Sequence, residues 1–494
     1  MPDRDAAWRW LVLASLSCTS LCAGAHDGPH SPPPWQQASD WPDRIVATVE
    51  ADPSTSFAVS WRTADGIDAP VARIARARAA PRFDRDAREV RAQTERVRLD
   101  RTVFDGAAHA LDYPLNPDRV RFHSVHFTGL EPDTLYAYQV CGGPARCSEW
   151  FQLRTAPAHD ADEPIRFIYL GDAQNGVMTH FARVLRAAWA AEPRADFILH
   201  AGDLVDHASR DLEWAGWFRA GGFIHAMAPA LPVAGNHEYD KLEVDGERRR
   251  VVLSRMWRPQ FRLPVVESLP EVLRETVYSV EYGETLAVFV LDTQSGLFGV
   301  QADWLDRRLA ASGAAWNVVA MHHPVFSSAG DRDNPELRAA LLPVLRKHRV
   351  PLVLQGHDHT YARGRAANGV DIDRDGSGTV FVTSVAGAKM YEIKGKRWDG
   401  YADQDARLDR AGENTQFYQL VEIDGERLSY AAYTATGERY DAFTIERTAD
   451  GTLTRESLTD PSDERRHDNT IDYGGVDDLN PGSVLEEPPG ASPQ

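Results

Sequence analysis

The sequence is short of positive charge. It contains 54 Lys and Arg residues against 73 Asp and Glu residues in 494, which gives a formal net charge of −19. A nucleic-acid partner needs a basic face on the protein, and membranes of anionic lipid attract basic surfaces. We therefore expect neither nucleic acid nor an anionic membrane surface to be a partner of this protein.

The sequence also lacks a long apolar run, because no segment reaches 18 consecutive apolar residues. The mostly apolar stretch Trp10–Leu21 follows Arg4 and Arg9, and the small residues at 23–25 come directly after it. This order is typical of a secretory signal peptide that is cleaved before His26, and an N-terminal helix that stays in place is the alternative. We expect residues 1–25 to be a signal peptide and the mature protein to be periplasmic or secreted, with no membrane span.

Cysteine is scarce, with four residues in the whole chain. Signal cleavage would remove Cys18 and Cys22 and leave Cys141 and Cys147 on either side of a turn-like Gly-Gly-Pro. In an oxidising compartment a disulfide across this loop is expected, and it would be a local staple. Two free buried thiols are the alternative.

Composition divides the chain into segments. Residues 26–42 are rich in Pro, His and Ser, which predicts a disordered leader. Residues 43–157 contain short apolar strands separated by turn residues, which predicts an all-β sandwich. Residues 447–494 are acidic and rich in Gly, Pro and Asp, which predicts a disordered tail. The strands predicted for the sandwich are 44–49, 56–61, 120–127, 135–140 and 150–155.

Residues 163–446 have a different rhythm, in which a buried strand leads into a loop and then a helix. This alternation predicts an α/β domain whose strands end in functional loops. A helix is predicted over 181–190. The predicted strands are 165–170, 195–200, 287–291, 316–321, 350–354, 380–384 and 417–423.

Five short polar motifs stand out, and nearly all of them follow a predicted strand directly. A glycine at a strand end lets the backbone turn sharply and present the next side chain at the edge of the sheet. Carboxylate, amide and imidazole groups together are typical ligands for metals of intermediate hardness. Each motif alone is a weak signal, but all five in this order predict a metal centre. The motifs are Gly171-Asp172-Ala173-Gln174, Gly202-Asp203-Leu204-Val205-Asp206, Gly235-Asn236-His237-Glu238, Val319-Ala320-Met321-His322 and Gly356-His357-Asp358-His359.

The motif set resembles the calcineurin-like metallophosphoesterase superfamily. In front of it, the Leu-x-Pro-x-Thr-x-Tyr turn at 130–136 and Trp61 resemble a fibronectin type III domain. Together the two parts are similar to the purple acid phosphatase branch in its bacterial form. The resemblance implies a fibronectin type III-like sandwich followed by a four-layer α/β metallophosphoesterase domain, closed by a hairpin near residues 425–445.

The resemblance also implies roles for individual residues. Two metal ions would be bound, with Asp203 bridging them and His237 facing the substrate to stabilise or protonate the leaving oxygen. His323 and Tyr361 would either contact phosphate or pack behind the site. The implied ligands are Asp172 and His359 for the first metal, and Asn236, His322 and His357 for the second.

Two positions depart from the family pattern. The purple enzymes carry Gly-Asp-x-x-Tyr, whose Tyr ligates iron(III), and here that position is Asp206. Other members carry Asp-x-His at the first motif, and here that position is Gln174. Asp206, Gln174 or water is left to complete the first metal site. We therefore predict a colourless protein that holds divalent ions, with Fe, Zn, Mn and Mg as candidates.

The function implied is hydrolysis of small phosphomonoesters by in-line attack of a metal-activated hydroxide. Because the metal ions supply positive charge, such a site suits an acidic protein. A phosphodiesterase or nucleotidase on the same metals is the second possibility, since the motifs do not define the substrate pocket. A fibronectin-like binding protein with a degenerate, inactive metal domain is the third.

Overall fold

The computed structural model describes residues 35–466 except 99–118, 144, 162, 245–247, 369–377, 394–396 and 449–450. The predicted signal peptide therefore lies outside the described residues, as does the segment 467–494. None of the helices in the described ranges combines the length and the apolar character that crossing a membrane requires.

The N-terminal part is an all-β sandwich, as predicted. One of its sheets has the strand order β1-β2-β6-β5, and the other has the order β4-β3-β7-β8, with β9 on β7. Apolar side chains from both sheets fill the core between them, and Trp61 is fully buried there. The strands are β1 (Asp43–Thr48), β2 (Phe57–Ala64), β3 (Val71–Arg76), β4 (Arg88–Arg91), β5 (Gln93–Val97), β6 (Val120–Phe127), β7 (Leu135–Gly143), β8 (Arg146–Cys147) and β9 (Phe151–Arg154).

Two local ties hold the strand β7. The hydroxyl of Tyr136 accepts the backbone N–H of Glu131 at 2.9 Å, which is the tyrosine-corner contact of such sandwiches. Cys141 and Cys147 form a disulfide between β7 and β8, where the two residues are paired in register. Of the two alternatives from the sequence, the structure therefore has the disulfide.

The second part follows at residue 165 and alternates strands with helices. Its strands begin with β10 (Ile165–Leu170), β11 (Phe197–His200), β12 (Ala230–Pro232), β13 (Tyr239–Val244), β14 (Arg248–Leu253), β15 (Tyr278–Tyr282), β16 (Leu286–Val290) and β17 (Trp316–Ala320). They continue with β18 (Leu352–Gln355), β19 (Tyr361–Ala366), β20 (Thr379–Thr383), β21 (Ala406–Gly412), β22 (Phe417–Asp424), β23 (Arg427–Thr434), β24 (Arg439–Thr448) and β25 (Gly451–Glu456). The helices are α1 (Ala182–Ala191), α2 (Asp211–Gly221), α3 (Phe223–Met227), α4 (Trp257–Gln260), α5 (Phe298–Ala311) and α6 (Pro335–Lys347).

These elements form the predicted four layers. One sheet contains β10, β11, β12 and β22, and the other has the order β15-β16-β17-β18-β20-β19-β21. The largest apolar cluster lies between the two sheets. A second cluster packs α1 and α2 against the first sheet, and a third packs α5 and α6 against the second. The α/β expectation is therefore confirmed.

The sandwich and the α/β part share one sheet. Strand β1 pairs in parallel with β12, with Thr48 opposite Ala230, so a single sheet of 11 strands runs from β25 to β5. A buried ion cluster lies beside this junction. The guanidinium of Arg44 donates to both carboxylate oxygens of Asp211 at 2.7 and 2.9 Å, and Arg62 contacts the same carboxylate at 3.3 Å.

Part of the predicted leader, residues 35–42, lies within the described residues and contacts the rest of the fold. The carbonyl of Gln36 accepts from Arg62 at 2.8 Å, and Arg219 lies over the ring of Trp35 at 5.6 Å. The leader prediction is thus wrong for residues 35–42, because two arginines that are distant in sequence hold this segment.

The predicted tail, residues 447–494, also begins with ordered chain. Strand β25 pairs antiparallel with β24 and extends the sheet at its edge. Arg363 donates to both carboxylate oxygens of Glu456 at 2.9 and 3.0 Å, and Glu464 accepts the N–H of Ala411 at 2.9 Å. The disorder prediction is therefore wrong for the described residues up to 466, because their acidic side chains have partners elsewhere in the fold.

Candidate metal centre

Five parallel strands end at one place, and each is followed by a turn that carries predicted ligands. Strands β10, β11 and β12 of one sheet lead to Asp172, Asp203 and Asn236. Strands β17 and β18 of the facing sheet lead to His322 and to the pair His357 and His359. Ligand sites in α/β folds form at the carboxyl ends of the strands, which is where these six side chains meet.

The six side chains form two groups that share one residue. Asp203, His322 and His357 offer ligand atoms that all lie within 4.8 Å of one another, and Asp172, Asp203 and His359 do the same. The Asn236 Oδ1 atom lies 3.1 Å from His322 Nε2 and 2.9 Å from His357 Nδ1, which places it in the first group. The six side chains therefore fall into two groups of potential ligands, with Asp203 common to both.

The backbone at four of these residues lies in the left-handed region, which side chains other than glycine rarely adopt. The φ angles are 38° at Asp172, 51° at Asp203, 75° at His357 and 47° at His359. Such conformations cost on the order of 1–3 kcal/mol each and persist only where the surrounding structure enforces them. Strain of this kind concentrates at functional sites, and here it coincides with the predicted ligands.

Two glycines of the motifs are needed for close packing around the ligands. A Cβ atom at Gly356 would lie 2.6 Å from Asp172 Oδ2 and 2.8 Å from the Ala201 carbonyl. A Cβ atom at Gly235 would collide with the carboxylate of Asp203. Glycine at these positions therefore makes room for ligands contributed by other strands.

Backbone carbonyls orient two of the imidazoles. His322 Nδ1 donates to the Ala201 carbonyl at 2.8 Å, and His359 Nδ1 donates to the Lys389 carbonyl at 3.0 Å. Because a carbonyl can only accept, each Nδ1 carries a hydrogen, and Nε2 is the nitrogen left to bind a metal. This is the form in which imidazole binds a metal, with its other nitrogen fixed by a hydrogen bond.

Glu238 ties two of the ligand turns together. Its buried carboxylate accepts the N–H groups of Asp203 and Leu204 at 2.9 Å and of Gly235 at 2.8 Å. Burial raises the pKa of Glu238 to about 8, and the charge of Asp203 acts in the same direction. The turns that carry Asp203 and Asn236 are thus fixed relative to each other by a single side chain.

Asp358 has a similar role on the opposite side. Its Oδ2 accepts from the Ser327 hydroxyl at 2.8 Å and from the N–H of Ser328 at 2.6 Å. The side chain therefore faces away from the ligands and fixes the turn that presents His357 and His359.

The charges of the site match those of a cation-binding centre. Burial raises the pKa of Asp172 well above its usual range, and nearby Asp203 adds to this effect. Burial would lower the pKa of His322, but Asp203 beside it raises that pKa to about 9, which shows that the surroundings of this ring favour positive charge. Buried carboxylates are costly without a compensating cation, and oxygen and imidazole donors together suit divalent metals. The residues present therefore fit a pair of metal ions.

Asp206 and Gln174, the two positions that depart from the family pattern, differ in where their side chains lie. Asp206 Oδ2 lies 3.0 Å from His207 Nδ1, and its Oδ1 lies 3.3 Å from His237 Nδ1, so its carboxylate is held by these two side chains. Gln174 instead lies among the ligands, with Nε2 2.8 Å from His359 Nε2 and 3.4 Å from Asp203 Oδ2.

The three predicted substrate-side residues have different locations. His237 borders the centre, with Nε2 4.0 Å from Asp203 Oδ2. His323 packs on His357 with ring centroids 4.1 Å apart and is held by Thr293. Tyr361 is fully buried in the core and donates to Asp441 at 2.7 Å, so the phosphate-contact interpretation is wrong for this residue.

Three residues near the centre were missed in the sequence. Tyr391 packs edge-on to His359, with ring centroids 4.8 Å apart. Arg332 lies over the Tyr391 ring at 4.6 Å and donates to the His357 carbonyl at 2.8 Å, and the Lys389 ammonium lies 5.6 Å from the same ring. A signal for Lys389 and Tyr391 was available, because they follow β20, another parallel strand of the second sheet.

The comparisons with known proteins agree with this geometry. Residues 165–361 match the family described as calcineurin-like phosphoesterase. The chain carries a calcineurin-like phosphoesterase domain. Residues 42–155, in front of that domain, match the family described as the N-terminal domain of purple acid phosphatase.

Curated relatives of this chain include purple acid phosphatases of plants. The chain is 25% identical over 266 residues to the probable purple acid phosphatase 20 of Arabidopsis thaliana, covering 52% of this chain and 59% of that protein. It is 26% identical over 265 residues to purple acid phosphatase 1 of Ipomoea batatas, covering 50% and 53%. The chain thus spans little more than half the length of these relatives.

A solved structure supports the fold. The purple acid phosphatase PPD1 from yellow lupin seeds superposes with a TM-score of 0.63 at 18% identity, covering 83% of this chain and 75% of that chain. The likeness extends over both the sandwich and the phosphoesterase domain, since neither part alone accounts for that coverage.

Proposed function

We propose that this protein hydrolyses small-molecule phosphomonoesters at a two-metal centre, by in-line attack of an activated water on phosphorus. The observation that carries the proposal is the position of Asp203, which belongs to both groups of potential ligands. One carboxylate shared by two adjacent groups is what a bridged metal pair requires. The names of the curated relatives support the same reaction class.

The six potential ligands divide between two metal ions. Asp172, Asp203 and His359 would bind the first ion, and Asn236, His322 and His357 would bind the second together with Asp203. A pair of divalent ions in these places would lower the pKa of a water toward neutrality and neutralise the oxygens of the phosphate. The ions would thereby supply the positive charge that this acidic chain otherwise lacks.

His237 is suited to assist the leaving oxygen. Its Nδ1 donates to the Asp206 carbonyl at 2.5 Å, which fixes the ring so that Nε2 is the nitrogen on the side of Asp203. The side chain of His237 is 23% exposed, so a substrate can reach this ring from solvent. In the doubly protonated ring, Nε2–H would donate its proton to the departing alkoxide, and the Asp206 carboxylate would stabilise the ring charge.

Arg332 and Lys389 extend positive charge beyond the metals. Burial would lower the pKa of Lys389, but Tyr391 and the carboxylates of Asp206 and Asp203 raise it, so the ammonium stays charged. Two cations on one side of the centre favour binding of a phosphate dianion over a neutral ester.

Export is the second part of the proposal. The apolar stretch and small residues at the N-terminus predict a cleaved signal peptide. The disulfide between Cys141 and Cys147 supports an oxidising compartment, because such bonds are rare in the reducing cytosol. N-terminal sequencing of the mature protein from its native host should begin at His26, and a mature chain that retains Met1 would refute export.

The reaction is tested with paired chromogenic substrates. The purified protein, loaded with Mn²⁺ or Zn²⁺, should hydrolyse p-nitrophenyl phosphate much faster than bis-p-nitrophenyl phosphate. A reversed preference would replace the monoesterase proposal with a diesterase. Two bound ions without turnover of either substrate, or of a nucleoside monophosphate, would favour a binding protein.

A further inference from the structure

Gln174 contains an acceptor without a partner at the centre of the site. The residue is fully buried, and its Oε1 is a buried oxygen that lacks a hydrogen-bond partner among the described residues. Leaving a buried amide oxygen unsatisfied costs on the order of 1–3 kcal/mol. The Gln174 oxygen would therefore be stabilised by a bound group that the protein chain does not supply.

The position of the amide indicates which partner. Its nitrogen lies 2.8 Å from His359 Nε2 and 3.4 Å from Asp203 Oδ2, and both of these atoms belong to the first metal group. His359 Nδ1 is occupied by the Lys389 carbonyl, so the lone pair on Nε2 is directed at the glutamine side chain. The Gln174 amide is therefore placed where the lone pairs of two potential ligands converge.

The amide can present either of its two ends. Oxygen and nitrogen of a glutamine amide are nearly identical in shape, and a rotation of 180° about the last side-chain bond exchanges them. After that exchange, Oε1 would lie at the distances that Nε2 has now from His359 and Asp203. Donor atoms about 2.1 Å from one divalent ion lie about 3 Å apart, so these separations are those of ligands sharing an ion.

We propose that Gln174 Oε1 is the fourth protein ligand of the first metal, together with Asp172, Asp203 and His359. The proposal deepens the metal centre that the proposed function requires and rests on that function. The backbone supports it, because the Gln174 N–H donates to the Asp203 carbonyl at 3.0 Å and fixes the turn beside the residue that both ligand groups share. Asp206 is not the missing ligand, since its carboxylate is held by His207 and His237.

The ligand type has a consequence for metal choice. An amide oxygen is neutral, so the first ion would be held by two carboxylates, one of them shared, with one imidazole and one amide. This set lacks the additional negative charge that a phenolate or a third carboxylate would give to a trivalent ion. It suits Mn²⁺, Mg²⁺, Zn²⁺ or Fe²⁺.

The test measures metal binding directly in the full-length protein freed of metal and titrated with Mn²⁺ by calorimetry. We expect two ions in the wild type, and in Gln174→Leu a loss of at least tenfold in affinity for one of them. Gln174→Glu should retain both ions, because a carboxylate can replace an amide oxygen as ligand. Asp206→Asn is the matched control in the same site and should also retain both.

Each outcome separates the candidate roles of Gln174. If the residue acts only as a hydrogen-bond donor through Nε2, Gln174→Glu would weaken binding as much as Gln174→Leu, because its carboxylate would face Asp203 without a proton. Two ions bound to Gln174→Leu with wild-type affinity would overturn the proposal while leaving the proposed function intact. A wild-type protein that binds fewer than two ions would overturn both.

A folding control keeps the result interpretable. Leucine is close to glutamine in volume and removes the unpaired oxygen, so metal-free Gln174→Leu should melt at or above the temperature of the metal-free wild type. The rise in melting temperature on adding Mn²⁺ should be smaller in the variant, because weaker binding stabilises the native state less. An equal rise in both proteins would count against the ligand role.

Discussion

The carboxylate of Glu238 accepts the backbone N–H of Asp203 at 2.9 Å, although the two residues lie on turns that follow different strands. The same oxygen accepts the N–H of Gly235 at 2.8 Å. The residue shared by both groups of potential ligands is thus held by the turn that carries Asn236.

Replacing Glu238 with glutamine should damage the centre without removing any ligand. A glutamine has one acceptor oxygen, so its NH₂ group would face a backbone N–H that now has a partner. The cost of such an unsatisfied buried pair is about 1–3 kcal/mol, and we expect a lower melting temperature together with weaker metal binding. Glu422→Gln on strand β22, where the side chain is partly exposed, is the control. Equal melting temperatures and metal affinity in both variants would refute the positioning role.

Asp203→Asn should remove the bridge between the two sites. We expect kcat to fall by a factor on the order of 10³ or more, because charge stabilisation at the transition state depends on both ions. Metal content measured by mass spectrometry should fall below two ions per chain. Retained turnover with both ions bound would show that Asp203 is not the bridge.

The protein should be colourless when it is isolated with iron. The purple colour implied by the family resemblance comes from a tyrosine bound to iron(III), and Asp206 occupies that position here. The carboxylate of Asp206 is also directed toward His207 and His237. An absorption spectrum with a tyrosinate-to-iron band in the visible range would contradict this expectation.

Lys389→Met should weaken the binding of phosphate more than it slows turnover. The lost ammonium acts on the anionic substrate through charge, so we expect KM for p-nitrophenyl phosphate and the inhibition constant of inorganic phosphate to rise about tenfold at low salt, with a smaller change in kcat. Lys347→Met is the matched control, because its ammonium pairs with Asp306 on the surface. Identical constants in the two variants would place Lys389 outside substrate recognition.

Asp196→Asn should change how stability depends on pH. Burial raises the pKa of Asp196 from 3.8 to about 6; the Arg166 N–H and guanidinium oppose this shift, and Glu192 adds to it. An acid with a raised pKa in the folded state destabilises the native protein when it is ionised. The free energy of unfolding therefore falls as the pH rises from about 4 to 6. The variant should therefore be more stable than the wild type at pH 7.5, by roughly 2–3 kcal/mol, and gain less than about 1 kcal/mol at pH 4. Thermal melts at both pH values measure this, and a gain of equal size at both would refute it.

The six ligands could be predicted from the sequence because each lies in a short motif next to an apolar strand. Strand ends of a parallel arrangement meet at one edge, so the spatial cluster follows from the order of elements. The positions of Trp61 and the Tyr136 corner could also be predicted, since local sequence pattern and turn chemistry determine them.

Other features depend on partners that are far away in sequence. Tyr361 comes two residues after His359, but it begins strand β19, whose register turns its ring into the core between the two sheets. The acidic composition of residues 447–494 suggested disorder, whereas Glu456 binds Arg363 of β19 and lies on strand β25, which pairs with β24. Motif spacing also could not show which of Gln174 and Asp206 lies among the ligands. Gln174 contacts His359 and Asp206 contacts His237, and both contacts are made by residues from other turns.

The shared sheet has a consequence for how this chain can be cut. Strand β12 is flanked by β11 and by β1 of the sandwich, so a fragment that starts at residue 163 would expose an open edge with unpaired backbone groups. The same cut would remove Arg44 and Arg62, whose guanidinium groups pair with the buried carboxylate of Asp211, and breaking buried ion pairs is destabilising. A phosphoesterase domain expressed without residues 1–162 of the chain should therefore aggregate. The sandwich has to be kept together with the domain whenever the gene is shortened, fused or shuffled.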